Sequence, residues 1–270
     1  MRFTDLLASA DRTEGHLTLD IPEDWRQGRA VFGGLQAALG ASAMRDLVPV
    51  ELPLRSLQTT FLAPPSGTRV IARARVLRRG KSAVHVMAWL RDADADPSSA
   101  GDEDALALLV GVFGAPRTSA VRVTPTQPRV PSDKPTPFRF VPGVTPTFTQ
   151  HFDATWLAGA LPFSGTETTT ASVRLGMPEE STCSEALLVA LSDFIPPLGL
   201  SMLRTPAPGS SLTWMLELLD HDLERLPMTG FRVDAELVAG RDGYHNQSST
   251  IWAPDGAPLA LSRQTMVVFG

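Results

Sequence analysis

Residues 105–114, ALALLVGVFG, and residues 258–270, PLALSRQTMVVFG, are two apolar segments that end on the same Val-Phe-Gly motif. Each has the length and residue types of a strand, and turn-forming residues lie before it. Each also closes a similar series of predicted elements, in which a short strand and an apolar helix are followed by several strands. The repeated order predicts an internal duplication of one α+β unit.

The helix of each predicted copy has a clear beginning and end. In the first half an alanine-rich run from Leu35 to Val48 follows Gly33-Gly34, and Pro49 ends it. In the second half the segment SEALLVALSDFIPP, residues 184–197, predicts a helix with Ser184 as its N-cap and a stop at the two prolines. One apolar helix beside a meander of strands predicts an antiparallel sheet wrapped around that helix.

Proline recurs every few residues between the two halves. Because proline interrupts helices and central strands, this segment predicts an extended linker. We therefore expect repeats at residues 1–115 and 147–270, joined by a linker at residues 116–146. The alternative is one long surface loop within a single domain.

Composition excludes several functional classes. The net charge of −5 argues against binding to a nucleic-acid backbone. Cys183 is the only cysteine, so no intramolecular disulfide can form, and this fits a reducing cytoplasm. No signal-peptide pattern and no apolar run of about 20 residues is present, so a cytoplasmic protein without a membrane span is expected.

Asp193 is a candidate general base. On the predicted helix its neighbours are Ala186, Val189 and Ala190, so its carboxylate lies on an apolar face near the helix C-terminus. Burial and the helix dipole would both raise the pKa of this carboxyl, which suits a base that works near neutral pH. The alternative is an exposed aspartate on a fraying last turn.

Gln264 is the second candidate, because Arg263 and Gln264 are adjacent polar residues within a predicted strand. At least one of them should face the packed side, and alternation places Gln264 in a row with small and apolar residues, namely Ala260, Ser262, Met266 and Val268. Its amide can both donate and accept, so it can orient a water or bond to a neighbouring strand. The first copy has Leu108 and Ala38 near the corresponding positions, which predicts one asymmetric site.

Motifs along most of the chain resemble the acyl-CoA thioesterase II type, a double-hotdog family. In the first half these are GRAVFGGLQAAL, LRSLQTTFLAPPSGT and VLRRGKSAVHV. In the second half they are LSDFIPP, SSLTWMLELL and PLALSRQTMVVFG. The resemblance implies a double-hotdog fold and hydrolysis of acyl-CoA thioesters without a metal or redox cofactor.

The resemblance also implies roles for residues. In that family an Asp, a Ser or Thr, and a Gln surround a water, and by motif these are Asp193, Ser211 and Gln264. Thr213 is expected on the same strand face as Ser211 and can supply the hydroxyl instead. Ser211 can also simply satisfy a strand end.

Two further features of the sequence each allow two interpretations. The backbone N–H groups of Gly33 and Gly34 can bind a thioester oxygen, or the glycines can allow tight packing at a helix start. Arg79 and Lys81, in the basic segment LRRGK, either contact the phosphates of coenzyme A or belong to an ordinary charged turn. By analogy with other hotdog sheets, a homodimer or higher homo-oligomer is expected.

Rival functions remain on the same scaffold. The first is a non-catalytic protein that binds acyl-CoA or lipid. The second is a hotdog hydratase, whose chemistry usually needs an Asp-His pair that is not found here. A serine α/β-hydrolase is disfavoured because no G-x-S-x-G motif is present, and the five histidines show no metal-ligand spacing.

Overall fold

The computed structural model describes residues 1–65, 67–93, 104–130 and 134–269. Ser66 and residues 94–103 of the first predicted repeat, residues 131–133 of the predicted linker and Gly270 at the end of the second repeat lie outside this description. The chain forms two compact units. The first contains residues 1–117, 140–150 and 184–190, and the second contains residues 118–139, 151–183 and 191–270.

The first unit is built on one antiparallel sheet with the strand order β1-β2-β6-β7-β8-β5. The short strands β3 and β4 form a separate hairpin. The strands are β1 (Asp11–Thr13), β2 (His16–Asp20), β3 (Arg26–Gln27), β4 (Ala30–Val31), β5 (Leu54–Phe61), β6 (Arg69–Arg79), β7 (Ala83–Asp92) and β8 (Ala107–Gly114).

Helix α2 (Gly33–Arg45) is the central helix of this unit, whereas α1 (Phe3–Ala8) is a short N-terminal helix. Every residue of α2 from Gly34 to Ala41 is buried, and the helix packs against β6, β7 and β8. Alanine and glycine therefore line a helix that has no solvent-facing stripe over this length. The helix begins two residues before the predicted Leu35 and ends three before Val48, where two short-range backbone bonds form a tighter turn.

The second unit is also antiparallel, with the strand order β12-β15-β14-β13-β11-β10-β9. Its strands are β9 (Thr136–Phe138), β10 (Asp153–Ala158), β11 (Thr170–Gly176), β12 (Gly209–Leu218), β13 (Phe231–Arg241), β14 (Tyr244–Trp252) and β15 (Pro258–Val268). Strand β9 belongs to the proline-rich segment and pairs with β10. The division into two repeats and a linker stays a prediction.

Helix α3 (Glu185–Ser192) begins where the sequence predicts, with the Ser184 hydroxyl accepting the Leu187 N–H at 3.2 Å. In the first unit Arg45 at the end of α2 donates to both carboxylate oxygens of Glu185, at 3.2 and 2.6 Å. Glu185 also accepts the Leu54 N–H at the start of β5. One carboxylate thus joins both helices and a strand. None of the helices in the described ranges combines the length and hydrophobicity needed to cross a bilayer.

Candidate active site

Gln264 faces the packed side of the second sheet, as its alternation predicts. Its side chain is only 3 % exposed, and the predicted row of residues on the same face of β15 is also buried, namely Ala260, Ser262, Met266 and Val268. Arg263 is exposed on the opposite face. The two adjacent polar residues of the motif SRQ therefore point to opposite sides of the sheet.

Asp193 is the hydrogen-bond partner of Gln264. The Gln264 Nε2 group donates to Asp193 Oδ1 at 2.6 Å, across 71 residues of sequence. Helix α3 ends at Ser192, so Asp193 is the first residue after the helix. The prediction that Asp193 belongs to the helix itself is therefore wrong by one residue. The carboxylate is half-buried. The structure thus joins the two residues that the sequence selects separately.

An aromatic cluster supports the position of Asp193. The next residue, Phe194, packs against the rings of Phe138, Phe152 and Trp156, with ring centroids 6.1, 4.9 and 6.4 Å away. Phe138 lies in the proline-rich segment, on β9. Part of that segment therefore packs against the aromatic cluster next to Asp193.

A β-bulge separates the two hydroxyl candidates. Ser211 pairs with Met266 of β15, whereas Thr213 pairs with Thr265 and Trp214 with Gln264. The register shift between Ser211 and Thr213 inserts one residue, so Ser211 shares the inner face with Gln264 while Thr213 points to the exposed outer face. The prediction that Ser211 and Thr213 share a face is wrong, because simple alternation does not hold across a bulge.

The predicted correspondence between Leu108 and Gln264 is also wrong. Leu108 is on the half-exposed face of β8, whereas its neighbours Ala107 and Leu109 are fully buried. The inward positions of the first unit's closing strand are nevertheless apolar. Within the described residues, that strand carries no counterpart of Gln264.

The substrate-binding candidates of the first unit have the following positions. Gly34 is buried, and a Cβ atom there would lie 2.6 Å from the carbonyl oxygen of Ala190, so close packing explains this glycine. Leu35 and Gln36 both donate to the Phe32 carbonyl, which leaves Gly33 and Gly34 ahead of the helical hydrogen-bond ladder. Tight packing at the helix start and binding of a thioester oxygen by the N–H groups are therefore compatible explanations for the glycine pair.

Arg79 and Lys81 belong to the hairpin between β6 and β7. Both side chains are exposed. Arg79 donates to the Leu47 carbonyl at 3.0 Å, and the turn closes by a bond from the Gly80 N–H to the Ala83 carbonyl. These residues form a charged hairpin in the first unit, whereas Asp193, Gln264 and Ser211 belong to the second.

The inner face of β14 holds two further polar residues, Gln247 and His245, which the sequence reasoning missed. Gln247 lies directly opposite Gln264 and is 2 % exposed, and its Oε1 accepts the Leu198 N–H at 2.9 Å. Burial lowers the pKa of His245, and its ring packs so closely on Gly199 that any side chain there would collide with it. Alternation in YHNQSSTIW, which places both residues in a row with Ile251, is the signal that could have found them.

An open groove of about 680 Å³ lies on the opposite, outward face of the second sheet. Glu217, Glu236 and Arg263 contribute to its lining. Since Arg263 and Gln264 point to opposite faces, the sheet separates this groove from the Asp193–Gln264 pair. Among the described residues no group of three or more His, Cys, Asp or Glu side chains is placed to hold a metal ion.

Comparison with known proteins identifies the class. Family models match residues 21–114, as the N-terminal domain of acyl-CoA thioesterases, and residues 125–268, as their C-terminal domain. No curated protein matches the sequence.

Solved structures share the fold along the whole chain. A conserved protein of unknown function with a hot dog fold, from Alicyclobacillus acidocaldarius, is 20 % identical with a TM-score of 0.84, covering 100 % of this chain and 99 % of its own. The acyl-CoA thioesterase II TesB2 from Mycobacterium marinum is 14 % identical with a TM-score of 0.73, covering 99 % and 98 %. The tesB protein from Mycobacterium avium subs paratuberculosis is also 14 % identical with a TM-score of 0.73, covering 99 % and 100 %.

The antiparallel strand order within each unit and these fold relatives define an α+β double-hotdog protein, as the sequence predicts. The chain belongs to the acyl-CoA thioesterase family, and it is a thioesterase.

Proposed function

We propose that the protein hydrolyses an acyl-CoA to a free acid and coenzyme A, with Asp193 as the general base. The observation that carries the proposal is the hydrogen bond of 2.6 Å between Gln264 Nε2 and Asp193 Oδ1. A carboxylate held by a buried amide has a fixed orientation, which a base needs if it is to accept a proton from a water in one defined direction.

The chemistry balances with one water and no cofactor. Asp193 accepts a proton from the water, and the resulting hydroxide attacks the carbonyl carbon of the thioester. The carbon–sulfur bond then breaks, and the coenzyme A thiolate leaves and takes up the proton that Asp193 accepted, which returns Asp193 to its ionised form. Gln264 orients the carboxylate throughout these steps.

We assign to the Ser211 hydroxyl the role of binding the attacking water. It shares the inner face with Gln264, and its side chain makes no hydrogen bond within the described residues. Its hydroxyl can therefore both donate and accept toward a bound water. Thr213 has no such role in this proposal, because its side chain is exposed on the other face.

We also propose two kinds of substrate contact for residues of the first unit. The N–H groups at the start of α2, at Gly33 and Gly34, are donors for an oxygen with developing negative charge. The exposed Arg79 and Lys81 are cations that suit the phosphates of coenzyme A.

The direct test is turnover of a series of acyl-CoAs, from short to long chains, followed with a thiol-reactive reporter. Asp193→Asn is expected to lower kcat by roughly 10²–10⁴-fold, the usual contribution of a general base. Asp242→Asn is the matched control, because Asp242 is exposed and has a left-handed backbone that asparagine tolerates.

Each outcome has a clear meaning. Retained turnover in Asp193→Asn would show that another group is the base. Binding of acyl-CoA by the unaltered protein without any turnover would favour the non-catalytic alternative.

A further inference from the structure

The segment that carries Asp193 has little regular structure of its own. It leaves α3 at Ser192 and continues as DFIPPL to a 3-10 turn over Leu198–Met202. Pro196 and Pro197 have no N–H to donate, and the Pro197 carbonyl accepts the Leu200 N–H within the 3-10 turn, so no backbone N–H in the middle of this segment reaches a neighbouring element. Contacts from neighbouring elements must therefore fix the direction of the Asp193 side chain.

Two glutamines hold the two ends of this segment. At one end Gln264 Nε2 donates to Asp193 Oδ1 at 2.6 Å, and at the other Gln247 Oε1 accepts the Leu198 N–H at 2.9 Å. Gln264 and Gln247 lie directly opposite each other on β15 and β14, so their side chains leave the same face of the sheet next to each other. Both are almost completely buried.

Gln247 does not satisfy all of its own hydrogen-bonding groups. Its Nε2 atom is buried and has no hydrogen-bond partner. An unpaired buried donor lowers stability, and an apolar side chain of similar size would avoid this cost. The Gln247 oxygen that accepts the Leu198 N–H is therefore the feature that an apolar side chain could not supply.

We propose that Gln247 is a positioning residue for the hydrolysis, and this inference rests on the proposed function of Asp193. By fixing Leu198, Gln247 holds the far end of the segment, so that the carboxylate stays in register with Gln264. Gln247 acts through the backbone and touches neither water nor substrate. A displacement of about 1 Å at a reacting group can cost on the order of a hundredfold in rate, so a small relaxation of the segment would be measurable.

Three variants test this role. Gln247→Met removes the acceptor while keeping the approximate length of the side chain, and Gln247→Glu keeps an acceptor oxygen in either protonation state. Asn246→Ala is the matched control on the same strand, because Asn246 points to the other face, where it accepts the Thr265 hydroxyl at 3.2 Å.

The expected results separate a positioning role from a structural one. Gln247→Met should lower kcat by about 10–100-fold and change KM by less than about threefold, because substrate contacts are untouched. Gln247→Glu should keep more of kcat than Gln247→Met, and Asn246→Ala should change neither parameter. Hydrogen exchange at the Leu198 amide should speed up in Gln247→Met and stay unchanged in Asn246→Ala.

The contrary results are also distinct. If the enzyme turns over acyl-CoA and Asp193→Asn abolishes turnover, but Gln247→Met keeps kcat within about twofold, the proposed function stands and the role of Gln247 is wrong. If the unaltered protein shows no turnover, the proposed function fails. In that case unchanged Leu198 exchange in Gln247→Met would show that the hydrogen bond does not hold the segment either.

Discussion

Gln264 lies between an indole ring and a second carboxamide on the inner face of the second sheet. Trp214 is its partner on β12 and Gln247 its partner on β14. The Trp214 Nε1 group donates to the Ser262 hydroxyl at 2.9 Å, so both of these polar groups find their partner on the neighbouring strand. The Gln264 amide is then directed to Asp193, on a different element.

The bulge in β12 leads to a prediction about the two hydroxyls. Ser211→Ala should lower kcat by roughly five- to thirtyfold, which corresponds to a lost hydrogen bond of about 1–2 kcal/mol. Thr213→Ala should leave kcat and KM unchanged, because the Thr213 side chain is exposed on the outer face. Steady-state kinetics of both variants provide the check, and the reverse order of effects would contradict the face assignment.

At this scale the sequence predicts some contacts and misses others. Alternation is enough to place Gln264 inward, because no bulge interrupts β15 near it. Alternation fails for Thr213, because a bulge inserts one residue and sequence alone does not show where. The raised pKa predicted for Asp193 stays a prediction.

At the scale of elements, the close approach of α2 and α3 determines which residues the first unit tolerates. The Cβ of an alanine at Gly34 would lie 2.6 Å from a backbone oxygen of α3, which cannot rotate away. At Gly40, in the same helix, the nearest atoms are the methyl groups of Leu109 at 2.9 and 3.0 Å, and a side chain can shift. The two glycines are therefore needed to different degrees.

This difference predicts the stability of two matched variants. Overpacking at Gly34→Ala should cost about 1–3 kcal/mol in the free energy of unfolding, partly offset by the higher helix propensity of alanine, which contributes at most about 1 kcal/mol. Gly40→Ala should be close to neutral, because the Leu109 side chain can adjust. Urea denaturation measures both changes, and equal stabilities of the two variants would contradict the packing explanation.

At the scale of the whole molecule, a lowered pKa is found for a histidine in each unit, His16 in the first and His245 in the second. Burial and then the Arg73 charge lower the pKa of His16 in the first unit, and burial lowers the pKa of His245 in the second. In the unfolded chain both have the ordinary value of about 6.5. As the pH falls below this value, the unfolded chain binds protons that the folded chain does not, so the folded state is disfavoured.

The stability that these histidines provide is therefore complete above about pH 6.5 and is lost as the pH falls through their folded pKa values. We expect the urea midpoint to be lower at about pH 5.5 than at about pH 7.5. This decrease should be smaller in His16→Gln and in His245→Gln than in the unaltered protein. Denaturation curves of the three proteins at both pH values test this. An identical fall in all three would show that other groups carry the acid sensitivity.

The predicted homo-oligomer and cytoplasmic location are separate questions and stay predictions.

The sequence alone determined the fold class and the central helices, because hydrophobic periodicity, capping residues and prolines act locally and leave a direct record. It also singled out Asp193 and Gln264, whose polar side chains interrupt apolar patterns. Only the tertiary structure brought these two within 2.6 Å, placed Gln247 beside them and moved Thr213 to the outer face. Those results depend on strand register, bulges and loop paths, which long-range packing selects and which neighbouring residues in the sequence do not specify.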